Sequence, residues 1–403
     1  MSHSATQSTP SKDYDKISVL NESSNVAHER KKIHTESEEE YVRTLNAQEN
    51  TPFSMAPAPP SDTYPPQNTS YYPLEARTET GEFTSVSVES RRTAKIKKQL
   101  AKKKYWTPWF IRIVSAGQLI LLIYSLYRNS QLTGSWIQTK PYFNWLIGPA
   151  PETLINVGAR YVPCMRTTPY LGQEMLCSTG NKCELETVCG FGGFHGAAPN
   201  QWFRFITPIF LHGGVLHYIM NMVYQLGNGA QMERDMGPFR MALLYMISGI
   251  GGFIFGANFA PPNMPSVGAS GALFGLIGCQ VVDLVQHWRL IENPCRELTK
   301  MIILLIINFA LGLLPSIDNF AHIGGFICGI FSSLLLLPTI HISSADKWIK
   351  RGLMVFGLAI VIVLFTVGLR GFYSGTDANV YCPWCKYFSC LPINGWCDTM
   401  YAN

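Results

Sequence analysis

Between Trp109 and Phe372 the chain runs through seven apolar stretches, each close to the length that crosses a bilayer. They occupy residues 109–127, 204–226, 238–257, 268–287, 299–315, 320–341 and 352–372. A helical span needs about 20 mainly apolar residues, and in hydrocarbon every backbone N–H and C=O must find its partner inside the segment. Repeated seven times, that constraint predicts an all-α polytopic membrane protein. The second run is interrupted by His212, His217 and Asn221, the fourth by Asp283, and the fifth is short.

Charged residues make up 15% of the chain, against roughly 25% in an ordinary soluble protein. About half of them lie in residues 1–104, a segment rich in Ser, Thr, Pro and Glu that cannot build a core and is expected to be a disordered tail. The expected organisation is this tail, a membrane domain over 105–372 with a long first loop at 128–203, and a cysteine-rich tail at 373–403. Arg91, Arg92, Lys95, Lys97, Lys98, Lys102, Lys103 and Lys104 crowd the approach to the first span. Beside an apolar span such a cluster reads as an anchor on anionic lipid and not as a nucleic-acid surface. Met1–Lys16 holds no apolar core, so no cleavable signal peptide is expected, and Asp13, Asp15 and Glu22 argue against a mitochondrial leader.

Positive charge orients the spans. Arg234 and Arg240, then Arg289, Arg296 and Lys300, then Lys347, Lys350 and Arg351 all fall on the side of the basic cluster, whereas loops 258–267 and 316–319 carry no Lys or Arg. The expected topology has a cytosolic N-terminus and a lumenal C-terminus. It puts Cys164, Cys177, Cys183 and Cys189 of the first loop, and Cys382, Cys385, Cys390 and Cys397 of the tail, in an oxidising compartment. Disulfides are expected there, with bonds between loop and tail among the options. Cys382-Pro383-Trp384-Cys385 also has the spacing of a zinc site. Cys279, Cys295 and Cys328 are expected to be free.

Polar groups at membrane depth are costly and mark function by default. Gly268-Ala269-Ser270-Gly271 opens the fourth span at its lumenal end, which puts Ser270 on the order of 5 Å deep at a helix start with unpaired N–H groups. By itself this motif fits small-residue packing better than a nucleophile: Gly271 with Gly275, and Gly268 with Ala272, form small faces. His322 opens the sixth span at a matching depth, with Ala321, Gly325 and Gly329 as a second small stripe. Two such stripes can bring a hydroxyl and an imidazole together, and a hydroxyl needs a base to become a nucleophile. A lone His could also be a proton relay, a metal ligand or core packing. In the second span His217 and Asn221 share a face at i, i+4 and can aim N–H donors at a developing oxyanion. His212 and His217, at i, i+5, are turned about 140° apart beyond one full revolution, a poor geometry for chelation. Asp318 invites a third place beside His322 but fits a solvated loop residue or helix cap better. Asp283 fits a buried partner or an interfacial residue.

In this order, on these spans, Gly-Ala-Ser-Gly, Ala321-His322 with Gly325, and His212, His217 and Asn221 resemble the rhomboid family of intramembrane serine proteases over about residues 109–372. The resemblance implies a six-helix core plus a seventh helix, and a serine endopeptidase using Ser270 as nucleophile and His322 as base without an acid or a cofactor. It implies an oxyanion hole from His217, Asn221 and the Ser270 N–H, with Gly268 beside it. Trp202-Phe203-Arg204 is similar to the family's Trp-Arg element with one residue inserted. Gly158-Ala159-Arg160-Tyr161-Val162-Pro163-Cys164-Met165-Arg166 is similar to the first loop of secretory-pathway members in eukaryotes. Single-span membrane proteins are then the expected substrates, entering between the second and fifth spans. The expected location is the endoplasmic reticulum, Golgi or plasma membrane. Inactive relatives lose Ser or His, and this chain has both.

Overall fold

A computed structural model describes residues 94–96, 98–99, 104–168, 174–176, 182–313, 317–339, 344–375 and 382–389. The expected disordered tail lies almost wholly outside them, as do Cys177, Cys390 and Cys397. Helix α1 is Trp109–Thr133. The first loop carries α2 (Pro151–Asn156), α3 (Val162–Met165), a two-stranded ribbon of β1 (Glu174–Leu176) and β2 (Lys182–Glu184), and α4 (Leu185–Cys189). Then follow α5 (Val215–Tyr224), a π-turn (Gln225–Gly229) and α6 (Ala230–Met236), which together make one helical run. The remaining helices are α7 (Pro238–Phe259), α8 (Ser270–Gln286), α9 (Pro294–Leu311), α10 (Asn319–Leu336) and α11 (Ser344–Tyr373). Four of these, α1, α7, α10 and α11, are long and apolar enough to cross a membrane, and α8 is a shorter apolar helix.

The second span is displaced from the expected 204–226. Residues 202–210 form two 3₁₀ turns, and the helix starts only at Val215. Pro208 and the Gly213-Gly214 pair break the apolar run, because proline removes a donor and glycine resists helix formation. The first loop caps the new start: the N–H groups of Val215 and Leu216 donate to the carbonyls of Ile147 and Leu146, at 3.1 Å each. The π-turn lies in a buried polar network. Gln225 donates to Ser115 and Gln118 at 2.8 Å, and Tyr245 donates to Gln225 at 2.8 Å, which ties α1, α5–α6 and α7 together. Glu233, fully buried, takes the first free N–H groups of α1, those of Phe110 and Ile111, at 2.8 Å.

The centre is the trio α7, α8 and α10, and small residues let it close. An added Cβ on Gly325 would overlap the backbone of Gly271, and one on Gly329 would overlap that of Gly275. The two small stripes therefore meet each other, Gly271 against Gly325 and Gly275 against Gly329. Because backbones approach this closely, dispersion and not side-chain volume holds the seam.

The two disulfides between described cysteines stay local. Cys164 bonds Cys189 within the first loop, and Cys382 bonds Cys385 within the tail. No loop-to-tail bond forms among the described residues. Cys164 and Cys189 are shut into a cluster with Ile155, Tyr161, Leu185 and Val188, which puts each out of reach of the tail. The Cys382–Cys385 bond also removes the thiolates that a zinc site at that spacing would need. Cys279, Cys295 and Cys328 are free.

Candidate active site

Helices α8 and α10 start at the same end of the molecule, and their first turns face each other. His322 Nε2 lies 2.8 Å from Ser270 Oγ. The imidazole is held on two further sides. Phe274 stacks on its face with centroids 4.2 Å apart and planes inclined by 11°. Asn319, one turn earlier on α10, meets His322 Nδ1 with its Oδ1 at 3.1 Å. The amide nitrogen of Asn319 is already committed, donating to the carbonyls of Phe309 (3.1 Å) and Phe388 (2.8 Å). Its oxygen must therefore face the ring, so Nδ1 carries the proton and Nε2 offers its lone pair to the serine hydroxyl.

His217 and Asn221 reach the same place from α5. Gly213 N–H donates to His217 Nδ1 at 3.3 Å, which leaves Nε2 as the protonated nitrogen. That edge of the ring lies over Gly268, where an added Cβ would come within 2.9 Å of it. Gly268 also has a φ of +134°, so both the backbone and the imidazole demand glycine here. Asn221 donates one amide N–H to the His217 carbonyl at 2.8 Å. A cavity of about 320 Å³ opens between α5, α8 and α9, and His217, Asn221, Ser270, Phe274, Asn308 and His322 are among its lining. Ser270, His322, His217 and Asn221 thus all line it, and Gly268 adjoins them under the His217 ring.

His212 stands apart. It is buried and packs edge-on against His217 and Tyr218, with centroids 5.4 and 5.3 Å apart, and neither ring nitrogen has a hydrogen-bond partner among the described residues. Asp283 keeps an exposed carboxylate, 3.1 Å from His287 one turn on. Asp318 caps α10, accepting the Ala321 N–H at 3.1 Å, but it is not solvated. Its other oxygen pairs with Arg160 at 3.1 Å, and both side chains are almost fully shielded. Arg160 belongs to the first loop, and its backbone bridges Ser266 with two 2.9 Å hydrogen bonds, four residues before Ser270. One arginine therefore ties the approach to Ser270 to the cap of the His322 helix. Arg204 is buried too, and its guanidinium gathers the carbonyls of Ile155, Ala159 and Cys189, which folds the first loop around it.

Sequence reasoning passed over Asn319 and the partners of Arg160. For Asn319 the i, i+3 spacing to His322 was a usable signal. For Arg160 the only signal was a charge inside an apolar loop motif.

The Rhomboid domain profile matches residues 199–339. Rhomboid-type serine protease 2 of Emericella nidulans is 34% identical over 87% of this chain and 82% of its own length. RHOMBOID-like protein 1 of Arabidopsis thaliana is 30% identical over 73% of this chain and 74% of its own length. Inactive rhomboid protein 1 of Homo sapiens is 34% identical over 56% of this chain but only 26% of its own length.

Proposed function

From the premise that the chain belongs to the rhomboid family of intramembrane serine proteases, we propose that it cuts transmembrane-helix substrates near the lumenal membrane face with a Ser270–His322 dyad. The observation that carries this reading is the 2.8 Å contact between His322 Nε2 and Ser270 Oγ. Ser270 Oγ attacks the scissile carbonyl carbon while His322 Nε2 takes the hydroxyl proton. The new oxyanion is met by the N–H of Ser270, by His217 Nε2–H and by the Asn221 amide. Each such donor contributes on the order of 100- to 1000-fold in rate. His322 then protonates the leaving amine, the C–N bond breaks, and an ester on Ser270 remains. A water activated by the same imidazole hydrolyses that ester. Asn319 holds the ring in the required tautomer, so no acid is needed behind it.

In this reading residues 1–104 are a cytosolic tail, the C-terminal tail is lumenal, and the protein sits in a membrane of the eukaryotic secretory pathway. The bonded cysteines described above belong to the segments expected in the oxidising lumen, while exposed, free Cys295 stands at the start of α9, by the basic loop. The substrate is a single-span protein whose lumenal end unwinds, since a helix hides its carbonyls, and helix-weakening residues near the cut favour attack.

The test is cleavage of a tagged single-span substrate in liposomes. Ser270→Ala and His322→Ala are expected to abolish product while the protein remains folded. Equal product from the wild type and Ser270→Ala would overturn the reading. Similarity to a relative named inactive favours one other reading, a scaffold that binds membrane clients without cutting them. In that case a fluorophosphonate would leave Ser270 unlabelled.

A further inference from the structure

The tail turn reaches the base from outside the membrane core. Cys385–Phe388 is a 3₁₀ turn, and the carbonyl of Phe388 accepts the Asn319 amide at 2.8 Å. The other end of that amide orients His322. The turn itself is lightly anchored. Trp384, Tyr387 and Phe388 are exposed, while Cys385 is buried against Ala260 and Phe320. The turn is closed by the Cys382–Cys385 bond and by the N–H groups of Cys385, Tyr387 and Ser389, donated to the carbonyls of Cys382, Trp384 and Lys386 at 3.0, 3.2 and 3.1 Å. The bond is asymmetric: Cys382 is half-buried, whereas Cys385 is 8% exposed. Cys164 and Cys189, both at 0%, offer no such access. An attacking thiolate can therefore reach the sulfur of Cys382.

We infer that Cys382–Cys385 is a thiol–disulfide exchange site whose state sets the activity of the Ser270–His322 centre through Asn319. The inference rests on the protease reading above. The co-reactant is a dithiol, either a small molecule or a dithiol protein of the lumen. One of its thiolates attacks Cys382 Sγ, the Sγ–Sγ bond breaks, and Cys385 leaves as a thiolate and takes up a proton. The second thiol of the reductant then attacks its own sulfur in the mixed disulfide and frees Cys382 as a thiol. Two electrons pass to the protein, and the reductant ends as a disulfide. Without the bond the turn loosens, the Asn319 amide keeps only one of its two carbonyl acceptors, that of Phe309, and its hold on the His322 ring slackens.

The experiment uses the full chain in liposomes with a tagged single-span substrate, before and after dithiothreitol. Thiols at Cys382 and Cys385 are counted by mass tagging, and Ser270 is labelled with a fluorophosphonate. Opening this bond is expected to lower kcat by about tenfold with KM unchanged, as small misplacements of a reacting group do, and reoxidation is expected to restore it. The double variant Cys382→Ser, Cys385→Ser is expected to sit at the lowered rate and to ignore dithiothreitol. The inference is overturned if the bond opens and kcat stays the same, if Cys164–Cys189 opens first, or if the double variant cuts at the oxidised wild-type rate. Absence of both cutting and Ser270 labelling in every form would overturn the protease reading itself, whereas equal labelling and cutting in both states would overturn this inference alone.

Discussion

Helices α9 and α10 are each 18 residues long and lie on either side of α8, yet they are held in opposite ways. In α10, eleven residues are buried, and Gly325 and Gly329 sit against the backbone of α8. In α9 no residue is buried, and Ile303 and Ile306 are 52% and 61% exposed. In a bilayer those side chains face lipid, which is as apolar as they are, so moving α9 opens no void in the protein core. The helix that carries His322 is thus fixed to the helix that carries Ser270 at the backbone level. The helix that borders the cavity is held on one side only. Under the proposed function, a site that needs hydrogen-bond geometry between two helices, and also entry for a substrate helix, is served by this division.

The sharpest way to break the comparison is to add volume on both sides. Gly329→Leu drives a side chain into the backbone of Gly275 and is expected to eliminate folded, active protein. Ile306→Leu on α9 is expected to change stability by less than about 0.5 kcal/mol. Thermal unfolding in detergent measures both, and comparable losses would mean that α9 is packed as firmly as α10. Next in size is the clamp on the fixed side. Asp318→Ala leaves Arg160 charged in a buried site, and breaking a buried pair costs about 3–5 kcal/mol. The double variant Arg160→Met, Asp318→Leu is expected to recover most of that loss in stability. A cycle showing additive losses would deny the coupling. Smaller again is Asn319→Ala, which keeps the helix but frees the ring. Here kcat is expected to fall by about 100-fold with KM unchanged, less than the roughly 10,000-fold cost of locking a catalytic imidazole in the wrong tautomer.

The difference between the two helices also explains what could be read from the chain alone. Ser270, His322, His217 and Asn221 stood out because membrane depth makes polar residues rare and so gives each one weight. The small stripes were legible because Gly271, Gly275, Gly325 and Gly329 recur at helical spacing. The start of α5 was not, since residues 205–211 are mostly apolar and read on into the span, and only Pro208 and Gly213-Gly214 betray the break. The partners of Arg160 were invisible for a different reason: Asp318 lies 158 residues away, and nothing local records a pairing across that distance. Disulfide connectivity was out of reach for the same reason, although Cys382 and Cys385 turned out to be neighbours. Asn319 was within reach, but a resemblance that asks for only a serine and a histidine draws no attention to it.

The smallest expected effect falls on the aromatic seam that, among the described residues, joins the loosely held helix to the site. Phe309 of α9 meets Phe274 with centroids 5.0 Å apart, and Phe274 is the ring stacked on His322. Phe309→Ala removes an aromatic pair contributing about 0.5–1.5 kcal/mol and should lower the unfolding midpoint only slightly. Because no residue of α9 is buried, the same change weakens its hold on the cavity mouth. Turnover of a single-span substrate should therefore rise or hold while stability falls. Phe274→Ala makes the matching comparison: it removes the same pair and the ring behind the imidazole, so its turnover should drop. If both variants lose turnover alike, the seam serves the base and not the entrance, and α9 belongs with the fixed half of the molecule.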